Sequence, residues 1–213
     1  MIIAFLLTCI ASWGVNFTFN KYKDVYNARG MTGAQAARMI LDRNGLSHIR
    51  VERISGNLTD HFDPGANVIR LSDSTHDSTS VAAVGVAAHE SGHAIQHAVG
   101  YAPIKLRNSI VPIVNISSSI SMPLFMLGLV LSIPILTNIG VMLFSAVLFF
   151  QVVTLPVEFN ASRRALEILK TSNMLYDDEV SKAGKVLGAA AMTYVASVAS
   201  TALQLLRLVL LSR

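Results

Sequence analysis

The chain has 213 residues, of which 52% are hydrophobic and only 14% are charged. This composition favours a small membrane protein over a soluble domain. The net charge of +4 is modest and the basic residues do not alternate with aromatic ones, which argues against nucleic-acid binding. The single cysteine, Cys9, excludes an internal disulfide and a cysteine-based metal site.

Four apolar stretches approach or exceed the roughly 20 residues that a helix needs to cross a bilayer. They are residues 1–19, 111–133, 135–153 and 186–206. The first has no basic residues ahead of it and no convincing cleavage site, so a retained anchor is favoured over a removed signal peptide. The second and third form a helical hairpin. The sequence therefore predicts a mainly α, multi-pass membrane protein with about four transmembrane helices.

The charged residues indicate how the chain is oriented in the membrane. Of the 17 Lys and Arg residues, ten lie in residues 20–108 and five in residues 156–185, and all thirteen acidic residues fall in the same two blocks. Basic loops face the cytoplasm in most membrane proteins. Because a hairpin with two crossings separates the blocks, both are predicted on the cytoplasmic side.

The first polar block begins with an amphipathic helix. Thr32 and Gln35 have the spacing of a capping box, and Asn44 followed by Gly45 indicates where this helix ends. In the second block, three consecutive acidic residues at 177–179 predict the start of a long final helix, because acidic side chains stabilise a helix N-terminus.

Two β-branched stretches, residues 48–54 and 67–72, follow the amphipathic helix. The segment 63–67, Asp-Pro-Gly-Ala-Asn, is a strong turn signal. A small antiparallel sheet is therefore predicted ahead of the next helix, and residues 67–72 are expected to align an extended peptide by β-addition.

The most informative stretch is residues 81–99, which carries His89, Glu90 and His93. Residues four apart lie about 40° apart around a helix and about 6 Å apart along it, so both imidazoles project from one face. Two such imidazoles suit zinc. Glu90, beside the first histidine, is the candidate general base for a zinc-activated water.

A zinc site needs a third ligand, and three residues are candidates. His97 lies about 12 Å along the helix from His89, which is too far for one ion, so it is predicted at the helix surface or supporting a ligand. His61 could approach from the sheet as a ligand or stabilise a transition state. Glu158 is the best candidate, because the hairpin returns it to the side of the histidines and two His plus one Glu is an established zinc set. Its alternative is a solvated carboxylate near a helix start.

At these residues the chain resembles the YugP-like family of neutral zinc membrane metallopeptidases. The resemblance spans essentially the whole sequence and rests on four stretches: MTGAQAARMILDRNGL, LTDHFDPGANVIRLS, VAAVGVAAHESGHAIQHAVGYAPIKLR and LPVEFNASRRAL. It implies zinc-dependent peptidase activity in a multi-pass membrane protein, with a small α+β, zincin-like catalytic region.

More distantly, the layout is similar to membrane peptidases of the HtpX and Ste24 type, whose third ligand is a glutamate on a later helix. That similarity supports Glu158. Those relatives commonly carry an aspartate where this chain has Ser162, so the resemblance leaves Ser162 or Asn160 to hold a histidine ligand in place.

Together these features predict a transmembrane anchor (1–19), a catalytic region (20–108), a transmembrane hairpin (109–154), a third-ligand helix with its connector (155–185) and a C-terminal transmembrane helix (186–213). The predicted protein is a zinc-dependent endopeptidase of the cell membrane that cleaves flexible segments of membrane or membrane-proximal proteins. The alternative is a catalytically silent membrane adaptor with a structural zinc.

Overall fold

The computed structural model describes residues 2–212 of the chain. These residues form six helices and three short strands, which are joined by turns and loops. Met1 and Arg213, the outer ends of the first and last predicted segments, lie outside the described residues. In chain order the elements are α1 (Ile2–Tyr22), α2 (Gly33–Arg43), β1 (Arg50–Ile54), β2 (His61–Asp63), β3 (Val68–Ser72), α3 (Val81–Ala98), α4 (Ala102–Val130), α5 (Pro134–Thr171) and α6 (Asp177–Leu211).

The architecture is mainly helical, as expected. Four helices, α1, α4, α5 and α6, are long and apolar enough to cross a membrane. Large apolar side chains remain exposed along them, for example Phe5 and Trp13 on α1 and Phe149 on α5. Exposed aromatic and aliphatic residues on long helices are what a surrounding lipid phase would cover.

One compact unit contains residues 2–12, 102–156 and 192–212. Within it α4 and α5 are joined by a three-residue turn in which Ser132 has a φ of 55°. The two helices approach closely because Gly140 has no side chain: a Cβ there would lie 2.8 Å from the backbone nitrogen of Phe125. Ser200 on α6 donates a hydrogen bond to the Ala4 carbonyl on α1 at 3.2 Å.

The second compact unit contains residues 13–101 and 157–191, and its centre is α3. Helix α2, the sheet and the start of α6 surround α3 with a continuous apolar core. The predicted capping box is present on α2, where the Thr32 hydroxyl accepts from the Gln35 amide and the Gln35 side chain accepts from the Thr32 amide. This cap fixes the start of α2, which presents Ala36, Ala37 and Ile40 to the core.

The sheet corrects one expectation. Its order is β1-β3-β2; β2 and β3 pair antiparallel across the predicted turn, but β1 and β3 run parallel. The extra strand β2 reverses the chain once more, so β3 returns in the direction of β1. The sheet is therefore mixed rather than antiparallel. Because β3 is central, both of its edges are already paired, and it cannot add a peptide strand as expected.

Helix α5 also differs from expectation. A proline at position 156 allows either the start of a new helix or a kink, and the structure excludes the first because one α-helix runs through this position. A proline removes one backbone donor, whereas in an apolar helix a full break would expose several more polar groups. One continuous helix therefore carries both the apolar stretch 135–153 and Glu158.

Candidate metal centre

The two histidines of the motif lie on one face of α3, as their spacing predicts. The Ser80 hydroxyl accepts from the Ala83 amide at 3.1 Å and so fixes the start of the helix. Further along, the rings of His89 and His93 meet edge to face with centroids 4.6 Å apart. Their Nε2 atoms are 3.1 Å apart. Both rings therefore direct Nε2 to one point.

Glu158 on α5 brings a carboxylate to the same point. Its Oε2 atom lies 3.3 Å from His89 Nε2 and 3.6 Å from His93 Nε2. Glu158 is only 4% exposed, and this buried oxygen receives no hydrogen bond of normal geometry within the described residues. A buried carboxylate oxygen without a hydrogen-bond donor is costly, so a bound cation would stabilise this position.

A close approach of two backbones makes this meeting possible. A Cβ on Gly92, between the two histidines, would lie 2.8 Å from the carbonyl oxygen of Ala161 on α5. Any other residue at Gly92 would therefore push α3 and α5 apart. The absence of a side chain here holds the histidine face of α3 against the segment of α5 that carries Glu158.

The three donor atoms fit a zinc ion. Zinc bonds of about 2.0–2.1 Å in a tetrahedral site place neighbouring ligand atoms about 3.3 Å apart. The separations of 3.1, 3.3 and 3.6 Å lie around that value. Burial disfavours the charged form of His93, but the nearby carboxylates of Glu158 and Glu90 outweigh this effect and raise the pKa of His93. The pocket therefore stabilises positive charge at the ring nitrogens.

Each histidine is also held through its other ring nitrogen. His89 Nδ1 lies 3.1 Å from the Ser162 hydroxyl, and His93 Nδ1 lies 3.1 Å from the Gln96 side-chain oxygen. When Nδ1 carries the proton and donates to these oxygens, the lone pair of Nε2 is free to bind a metal. Ser162 thus occupies the supporting position that the resemblance left to Ser162 or Asn160.

Asn160 supports the metal centre indirectly, through a hydrogen bond with Gln96. Its side-chain oxygen accepts from Gln96 Nε2 at 3.0 Å and from Arg164 Nε at 2.8 Å. Gln96 Nε2 also donates to the Val157 carbonyl at 2.8 Å, and the Gln96 side chain is completely buried. Gln96 is the supporting residue that the sequence reasoning missed, although a polar residue three positions after His93 on a buried helix was a usable signal.

Glu90 follows His89 directly and is 9% exposed. Its negative charge is one of the causes of the raised pKa of His93. In the described part of the chain, the group able to hold a metal ion consists of His89, His93 and Glu158, whose donor atoms all lie within 4.8 Å of one another. Glu90 is thus beside the ligand set without being one of its members.

The other two candidate histidines lie elsewhere in this unit. His61 is on β2, where Nδ1 is 2.9 Å from the Thr59 carbonyl and Nε2 is 3.4 Å from Arg70. His61 pairs directly with Arg70 across the sheet, so both are on one face. The next residue on β2, Phe62, is on the other face and contacts His97 of α3 edge to face at 5.9 Å. His97 is exposed, as the prediction of a surface position requires.

Comparisons with known proteins identify the family of the chain. A family described as "Putative neutral zinc metallopeptidase" matches residues 1–213. The chain is 43% identical over 215 residues to the "Putative membrane protease YugP" of Bacillus subtilis (strain 168), covering 97% of this chain and 96% of that protein. No solved structure matches the chain. The chain belongs to the YugP-like family of neutral zinc metallopeptidases.

Proposed function

We propose that this protein is a membrane-bound zinc endopeptidase whose zincin-like site is formed by α3 and α5. The observation that carries the proposal is the convergence of His89 Nε2, His93 Nε2 and Glu158 Oε2 within 3.1–3.6 Å, next to the buried Glu90. Two histidines and one glutamate with a neighbouring carboxylate form a donor set typical of zinc peptidases.

The residues of the site would have separate roles in peptide hydrolysis. His89, His93 and Glu158 would hold zinc, while Ser162 and Gln96 keep the two rings oriented. When bound, zinc would lower the pKa of a water to about 7 and polarise the substrate carbonyl. Glu90 would accept the proton of the attacking water and deliver it to the leaving amine. Burial of Glu90 limits its competing contact with bulk solvent.

A purely structural zinc in a silent adaptor is the less favoured alternative. Structural zinc sites have four protein ligands, whereas catalytic sites have three and leave a position open. The candidate ligand group in residues 2–212 has three members. The buried Glu90 beside the group also serves no purpose in a site that only cross-links two helices.

The outer edge of β2 is the best place for an extended substrate. Strand β2 lies at the end of the sheet, and Phe62 joins it to α3 through His97. A peptide added to this edge would run beside the helix that carries the motif. Only unfolded or flexible segments can pair in this way, so these are the proposed substrates.

Removal and return of zinc tests the proposal. Chelator-treated full-length protein in detergent is expected to lose hydrolysis of unfolded casein, and one equivalent of zinc should restore it because binding needs only the preorganised ligands. Folded, protease-resistant domains should remain uncut. The measurement is fragment release together with metal content. Cleavage that persists in fully zinc-free protein would contradict the proposal.

The catalytic region is proposed to face the cytoplasm, because both charged blocks contain most of the basic residues. A variant with Cys9→Ser and a new cysteine at the exposed Ser55 tests this. A membrane-impermeant maleimide should label it only after cells are opened. Labelling in intact cells would place the region outside and contradict the proposal.

A further inference from the structure

A second candidate binding site lies beside the metal centre, in the groove between α5 and α6. The groove has a volume of about 470 Å³ and an almost entirely apolar lining. Its walls include Phe159, Leu166, Val180 and Leu187. All of these residues belong to the compact unit that contains the metal centre.

Gly188 lines the groove and leaves open space there. A Cβ at this position would meet no atom within 4 Å, so the glycine faces open space. At Gly184, one turn earlier, a Cβ would only touch Leu166 at 3.5 Å. The groove is therefore not a packing defect closed by neighbouring side chains, and it has room for a flexible apolar chain.

Two opposite charges stand at the rim. Arg163 and Glu167 both line the groove and are exposed, and they lie one turn apart on α5. Charged residues at this spacing often pair, yet no ion pair within 4 Å joins either of them to another described residue. Lys170, the third charged residue of the lining, is 3.4 Å from Asp177.

We propose that this groove binds a phospholipid with a primary ammonium group, of the phosphatidylethanolamine type. Arg163 would bind the phosphate, Glu167 would bind the ammonium group, and an acyl chain would fill the apolar groove. Both charges of the headgroup are then matched. The two helices of the groove are apolar enough to cross a membrane, where such a lipid is available.

The bound lipid would contact a residue of the metal centre. Ser162 lines the groove, and its hydroxyl is 3.1 Å from His89 Nδ1. An acyl chain beside Ser162 would restrict the rotation of its hydroxyl and so steady the imidazole of His89. The lipid site is separate from the peptidase proposal, because lipid binding can be measured whether or not the protein cleaves peptides.

Native mass spectrometry of the full-length protein in detergent tests the lipid site directly. Titration with phosphatidylethanolamine, phosphatidylglycerol and phosphatidylcholine should show the first bound about tenfold more tightly, since only it matches both rim charges with hydrogen-bonding groups. Arg163→Gln and Glu167→Gln should each remove this preference. Arg43→Gln, an exposed arginine outside the groove, is the matched control and should bind like the wild type.

The apolar part of the site has its own pair of variants. Gly188→Leu fills the groove and should abolish binding of the lipid, whereas Gly188→Ala adds one methyl group to open space and should not. Circular dichroism checks that both variants fold. Equal binding of phosphatidylglycerol, unchanged binding by Gly188→Leu, or a second copy of the chain cross-linked into the groove would each overturn the proposal.

Discussion

Replacement of Glu90 by glutamine is expected to stop peptide hydrolysis while zinc stays bound. Glutamine keeps the size of the side chain and its buried position but has no basic oxygen to accept a proton. General-base catalysis contributes about 10²–10⁴-fold to such reactions, so kcat should fall by a factor of that order. The measurement is the rate of casein fragment release by the zinc-loaded protein, with zinc content determined on the same sample.

The control for this experiment is Glu52→Gln. Glu52 is a partly exposed carboxylate that interacts with Arg50 and Arg70 on the sheet, so its replacement should leave hydrolysis unchanged. If Glu90→Gln cleaves at the wild-type rate, another group must be the base. If it loses zinc instead, Glu90 acts in holding the metal and the proposed division of roles fails.

Much of the fold could be predicted from short-range sequence signals. The capping box of Thr32 and Gln35 and the start of α6 at Asp177 depend on residues close in sequence, and both appear in the structure. The shared face of His89 and His93 follows from helix periodicity in the same way.

Features that depend on residues far apart in the sequence were harder to predict. The parallel pairing of β1 with β3 results from β2, a strand of three residues that is too short to show a clear alternation. Gln96 acquires its importance from Val157 and Asn160, which lie more than sixty positions away and are brought close only by the packing of α3 on α5. Helical spacing alone does not reveal such partners.

The third ligand is an intermediate case. Charge distribution and a membrane hairpin placed Glu158 on the side of the histidines, but they did not predict that Gly92 would let α5 approach within atomic contact of α3. Because the two helices approach so closely, the Oε2 atom of Glu158 lies 3.3 Å from His89 Nε2. A substitution at Glu158 therefore tests both the topology and the geometry.

Glu158→Ala is expected to reduce zinc affinity by more than about 100-fold, because even loss of a residue that only supports a ligand typically costs 10–100-fold. Ser162→Ala gives that smaller, graded loss, since it removes the partner of His89 Nδ1 and keeps all three donors. Competition with a zinc chelator of known affinity measures both variants on one scale. Circular dichroism of both variants checks that loss of zinc is not a consequence of unfolding.

The relative loss of zinc affinity in the two variants decides whether Glu158 is the third zinc ligand. Wild-type zinc affinity in Glu158→Ala would mean that the third ligand lies elsewhere, and His61 would then be the next residue to replace. Equal losses in both variants would mean that Glu158 only orients the histidines, as Ser162 does. A much larger loss for Glu158→Ala than for Ser162→Ala is the result expected if the buried Oε2 of Glu158, which accepts no hydrogen bond of normal geometry from the described residues, binds the metal ion directly.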